Sequence, residues 1–141
     1  MVVLDTDHIT LLEQARGDAF RRLSERLSGL SSSDRVTTII SYEEQTRGWL
    51  AYVSRARTVS QQIDAYGKLN HHLDTYREID VLVFSETAAT EFQRLRNIGI
   101  RIGTMDLRIA AIVLATGAKL LSRNLVDFRQ IPNFDVEDWT T

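Results

Sequence analysis

No cysteine occurs in these 141 residues, so a disulfide framework and a thiolate metal site are both excluded. Any bound metal must therefore sit on oxygen or imidazole. There is a single proline, Pro132, and no proline-rich or serine-rich linker, internal repeat or low-complexity segment divides the chain. The length suits one domain with its own core and is short for two, so residues 1–141 are read as a single domain. Long apolar runs are missing as well. The longest, Ile109 to Ala115, is far below a membrane span, and the start Met1-Val-Val-Leu-Asp5 lacks the basic residues of a secretory signal. A soluble, cytoplasmic protein with no membrane partner is expected. Basic excess is absent too: the formal charge is −2, which argues against a general polyanion binder. Lysine is scarce, 2 residues against 15 arginines. Arginine's planar fork suits phosphate and carboxylate recognition, although genomic base bias produces the same composition.

What is present alternates between short apolar runs and helical periodicity. Val2-Val3-Leu4 reads as a buried strand stopping at Asp5-Thr6-Asp7. Two helices broken at Gly17-Asp18 follow, then a serine-rich loop and a β-branched strand, Arg35 to Ile40. Ser41 opens the next helix, with Glu44 at capping-box spacing. That helix and one from Thr58 to Tyr76 make a helical hairpin over about 42–76, with more aromatic residues than one small core needs, so that part of it could face a partner chain, with burial in the core the simpler reading. Asp80 to Phe84 is a third strand, Ser85 to Asn97 a helix, and Leu107 to Ala118 a helix apolar on nearly every side, with Thr104 as its N-cap and Gly117 as its C-terminal cap. Lys119 to Ser122 is a fourth strand, Pro132-Asn133 a turn and Phe134 to Val136 an edge strand.

Strands separated by helices predict an α/β fold, a three-layer α/β/α sandwich around a small, mainly parallel sheet. In such sheets ligands gather beyond the carboxyl ends of the strands. Asp5 ends the first strand, Glu44 follows the second, Asp106 opens the helix before the fourth and Asn124 ends the fourth, so all four can meet at one rim. Carboxylates gathered without a cation are stable together only if protonated or holding a metal. Oxygen ligands select a hard ion, Mg2+ or Mn2+, and such a site serves phosphoryl transfer, the cutting of a phosphodiester.

Five segments in order, Leu4-Asp5-Thr6-Asp7, Ser41 to Gly48, Gly103 to Ala111, Ser122 to Phe128 and Glu137-Asp138-Trp139, resemble a PIN domain and, more narrowly, VapC-type toxins of bacterial toxin–antitoxin pairs. The likeness spans nearly the whole chain and weakens only over Leu50 to Ile79. It implies a PIN-like nuclease that cuts RNA with Mg2+ or Mn2+, is held inactive by a cognate antitoxin, and forms a homodimer. It also implies Asp5, Glu44 and Asp106 as metal ligands, Glu44 over Glu43 because Gly48 follows it by four positions. Thr6 and Ser41 would orient the site. Where many relatives carry a fourth acid this chain has Asn124, with Asp127 shortly after, so either of these completes the catalytic set.

Each residue also has an ordinary explanation. Glu44 suits the capping box, Asp106 a first-turn helix acid, Asp7 an N-cap, and Asn124 and Asp127 a turn; Asp5, directly after a buried strand, has least local reason to be acidic. His8, His71 and His72 lack metal spacing and read as surface residues. Arg108 and Arg123 flank two acids and either hold phosphate or neutralise the carboxylates. Two rival functions remain: a catalytically silent module binding RNA or protein, favoured by asparagine at 124, and a phosphatase, since Asp5-Thr6-Asp7 also resembles the opening of haloacid-dehalogenase-type enzymes. The latter wants a lysine and a later acidic pair, which Lys68 and Lys119 are poorly placed to complete.

Overall fold

The apolar runs form five short strands, and in the computed structural model, which describes Met1–Thr141, they line up in one sheet. Strands β1 (Val2–Leu4), β2 (Arg35–Thr38), β3 (Asp80–Leu82), β4 (Lys119–Leu121) and β5 (Val136–Glu137) take the order β3-β2-β1-β4-β5. All four pairings are parallel, with Val3 beside Val36 on one side and Leu120 on the other. Parallel neighbours need crossovers, and these are supplied by helices α1 (Thr6–Gln14), α2 (Asp18–Ser28), α3 (Ile39–Arg55), α4 (Val59–Arg77), α5 (Glu86–Asn97), α6 (Thr104–Thr116) and α7 (Leu125–Phe128). The three-layer α/β/α architecture expected from the sequence is the one observed.

Strand alternation sorts the core into two halves. Val3, Val36 and Leu120 face the buried residues of α5, α6 and α7, while Val2, Leu4 and Leu121 face Ile9, Leu11, Leu23 and Leu27 of α1 and α2. Helix α6 is buried from Ile109 to Val113 because it lies flat against the sheet and under α5, and it ends at Gly117, whose φ of 68° is the left-handed cap that glycine adopts without strain. No helix is long and apolar enough to cross a membrane.

Several boundaries differ from the sequence reading, each for a local reason. Strand β2 stops at Thr38, which is extended and whose hydroxyl oxygen accepts from the Ser41 N–H at 3.1 Å. Thr38, not Ser41, is therefore the N-cap of α3, and Glu44 makes no capping box. A reciprocal box does exist one helix later, between Thr58 and Gln61 at the start of α4. Thr104 is likewise the first residue of α6, behind Gly103 as N-cap with no side-chain capping bond. Strand β3 ends before Val83 and Phe84, which are exposed, and β5 begins after Phe134, which instead stacks on Phe128 at 5.7 Å. Helix α7 was not foreseen. The hairpin of α3 and α4 corrects the burial expected of it: Val59 is 73% exposed and Ile63 71%, so its apolar stripe faces outward.

Candidate active site

The strand order reverses between β1 and β4, and a cleft of about 440 Å³ opens beyond their carboxyl ends. Asp5, Glu44, Asp106 and Asn124 all line it, together with Thr6 and Arg123. Residues up to 119 positions apart in sequence are thus delivered to one rim by the parallel topology.

Asp5 is only 5% exposed. It is the N-cap of α1, one carboxylate oxygen accepting from the Thr6 N–H at 2.8 Å and the other from the Ser122 hydroxyl at 2.6 Å. It thus has the local structural role that the sequence reading had given to Asp7. Asp7 lies in the first turn instead, bound to His8 Nδ1 at 2.6 Å and to the Arg123 N–H at 2.9 Å, so its charge holds the end of β4 in place. Both bonds leave it poorly free to act as the acid/base of a phosphatase.

Glu44 accepts from the Thr6 hydroxyl at 3.1 Å, which ties α3 to α1. Glu43 points elsewhere and pairs with Arg47. Asp106 accepts from the Asn124 side-chain amide at 3.2 Å, and the same nitrogen reaches Asp127 at 2.9 Å. Asp127 does not line the cleft; it stands behind Asn124 and holds it. Ser41 does not reach the cleft either, its hydroxyl being buried against Thr38.

None of Asp5, Glu44 and Asp106 has a cationic partner within 4.0 Å. Burial pushes the Asp5 carboxyl up to about 7, and the neighbouring Asp7 charge adds to this against the opposing Ser122 and Thr6 hydrogen bonds. Burial likewise raises Glu44 and Asp106, with Asp106 adding to the first and Asp127 and Asp7 to the second. The donor set is wholly oxygen, which fits a hard divalent ion. No three acidic or imidazole side chains close into a preformed cage.

Two residues to which the sequence reading gives no role at the site complete the geometry. Ser122 is fully buried, donates to Asp5 and accepts from the Asn124 N–H at 3.0 Å, joining two strand ends through one hydroxyl. Its signal was a hydroxyl placed directly after an apolar strand. His8 is 0% exposed, and His72 is also buried, between Thr46 and Glu13; only His71 lies at the surface as expected. His8 accepts from the Trp139 N–H through Nε2, so Nδ1 carries the proton donated to Asp7.

No protein-family model matches the chain. Among curated proteins it is 30% identical to Ribonuclease VapC1 of Haemophilus influenzae strain R2866, over 98% of this chain and 97% of that one. The chain belongs to the VapC ribonuclease family. The same degree of likeness holds for the protein of strain 86-028NP. Among solved structures, VapBC-1 of nontypeable Haemophilus influenzae superposes with a TM-score of 0.71 at 27% identity, each chain fully covered. FitAcB of Neisseria gonorrhoeae, at 20% identity and a TM-score of 0.73 over 99% of this chain and 98% of that one, shares the fold. The VapC resemblance drawn from the five sequence segments agrees with these relatives, and the phosphatase reading has no support among them.

Proposed function

We propose that the chain is the ribonuclease toxin of a toxin–antitoxin pair and that it hydrolyses RNA phosphodiesters in the cytoplasm with Mg2+ or Mn2+ held by Asp5, Glu44 and Asp106. The observation that carries this is that Asp5, Glu44 and Asp106, none of them ion-paired, line one cleft where the strand order reverses. When bound, the divalent ion supplies Lewis acidity and lowers the pKa of water for attack on phosphorus. The protein's part is orientation. Thr6 and Ser122 aim the carboxylates of Glu44 and Asp5, Asn124 aims Asp106 and is itself held by Asp127, and Arg123 brings a positive charge to the same cleft. Several acids so arranged repel one another and the substrate phosphate when the ion is missing, which makes activity depend on it.

The relatives named VapBC are toxin–antitoxin assemblies, and this supports a cognate antitoxin for this chain. The outward stripe of Val59, Ile63 and Tyr66 on α4 supplies apolar surface for protein association, either with the antitoxin or in a homodimer.

The deciding experiment measures cleavage of a single-stranded RNA by purified protein with Mg2+, with Mn2+ and with chelator, beside hydrolysis of a small phosphate ester. RNA cleavage that disappears with chelator and in Asp5→Asn and Asp106→Asn is expected. Small-ester hydrolysis would favour the phosphatase, and RNA binding without cleavage under every metal condition would favour a silent module.

A further inference from the structure

A second depression, of about 510 Å³, lies on the other side of the α6 N-terminus from the acids. Its charged lining is arginine alone: Arg96 from the last turn of α5, Arg101 from the loop between α5 and α6, and Arg108 from α6. None of the three has a carboxylate partner within 4.0 Å, whereas Arg94, beside them in sequence, is paired with Glu91. In a chain with a net charge of −2, three unpaired cations in one groove repel each other and lack an anion.

The guanidinium groups of Arg96 and Arg108 are placed by an aromatic ring and not by acids. Arg96 and Arg108 lie 5.6 and 5.8 Å from the centroid of Phe92. A cation–π contact orients the guanidinium plane without consuming its N–H donors, which stay free for phosphate oxygens. Arg108 spends one of them on the Met105 sulfur at 3.4 Å, a weak acceptor readily exchanged for an anion. Thr104 and Arg108 flank Asp106 on the first turns of α6, so the groove and the acid cleft share that turn.

We propose that this groove is an RNA subsite in which Arg96, Arg101 and Arg108 bind backbone phosphates on one side of the scissile bond. The inference rests on the ribonuclease reading and deepens it: positioning of the strand is assigned to arginines the acid cleft does not contain. Such contacts hold any sequence equally and confer strong salt dependence.

The test uses the full chain carrying Asp5→Asn to block cutting, and measures fluorescence anisotropy of a labelled single-stranded RNA across a salt series. Adding Arg96→Gln, Arg101→Gln and Arg108→Gln together should lower the slope of log K against log salt by about 2, at about 0.7 per single-strand phosphate, and weaken binding roughly tenfold or more at low salt. Arg21→Gln, which removes one positive charge from the surface of α2, should leave the slope unchanged. Melting temperatures establish that the triple variant is folded. If the parent binds RNA and the unblocked chain cuts it, yet the triple variant keeps slope and affinity, the groove assignment is overturned while the ribonuclease reading stands. If the unblocked chain neither binds nor cuts RNA, the ribonuclease reading fails and takes the subsite with it.

Discussion

Asp5 shows how much a single carboxyl can be asked to do. It caps α1, receives the Ser122 hydroxyl and sits almost fully buried beside a second acid, Asp7. Its carboxyl titrates near 3.8 in the unfolded chain and near 7 in the folded one. Between those values the folded state keeps a proton the unfolded state has lost, so the contribution of Asp5 to the stability of the metal-free protein is greatest below about pH 4 and is lost as pH rises toward 7. Thermal melts in chelator across that range should show the decline, and Asp5→Asn should flatten it and melt higher than wild type at pH 7.5. A flat wild-type profile would remove the electrostatic premise. Conversely, Mn2+ added at pH 7.5 should raise the melting temperature of wild type in a concentration-dependent way, following the logarithm of free ion, and leave Asp5→Asn nearly unmoved. Ser122→Ala should lower the cleavage rate while the melting temperature falls only modestly, because the lost hydroxyl both orients Asp5 and stabilises its charged form.

At the scale of elements, the ends of helices decide where the acids point. With Thr38 as the cap, α3 begins three residues earlier than a cap at Ser41 implies, and Glu44 comes to face Thr6 on α1. Thr38→Ala should cost about 1 kcal/mol, read as a drop of roughly 3 °C in melting temperature, with a further loss of cleavage through the displaced Glu44; Ser41→Ala, whose hydroxyl caps nothing, should cost less. A polar network beneath the cleft fixes the same helices. Gln45 of α3 donates to Thr10 of α1 and accepts from Tyr76 of α4, while His72 of α4 lies between Thr46 and Glu13. These bonds explain why histidine, tyrosine and glutamine tolerate burial there, and why the hairpin, apolar on its outside, is anchored to the body by polar groups.

Across the whole molecule, the reversal of strand order between β1 and β4 is what turns scattered acids into a site. The hairpin projects the remaining apolar surface away from that site. Ile63→Glu, at a position 71% exposed, should shift the melting temperature by less than about 1 °C but weaken self-association or antitoxin binding, as measured by light scattering and by co-purification. An unchanged association state with both partners would show that other surfaces carry the assembly.

Local chemistry made much of this legible in the chain itself. Strand runs, the glycine stop at Gly117 and the order Asp5, Glu44, Asp106, Asn124 depend on near neighbours and on spacing, so the parallel α/β architecture and the rim of acids could be anticipated. The sequence reading takes Ser41 as the cap, but Thr38, three positions earlier, carries the same hydroxyl, and only the extended backbone at Thr38 decides between them. Burial of His8 and His72, the tie of Asn124 to Asp106 and the coupling of Ser122 to Asp5 belong to tertiary structure, because each partner lies on a different element or its role depends on which face of the sheet it meets. A sequence specifies which groups exist and where along the chain they fall; which of them share one low-dielectric cleft is determined by how the strands are ordered in space.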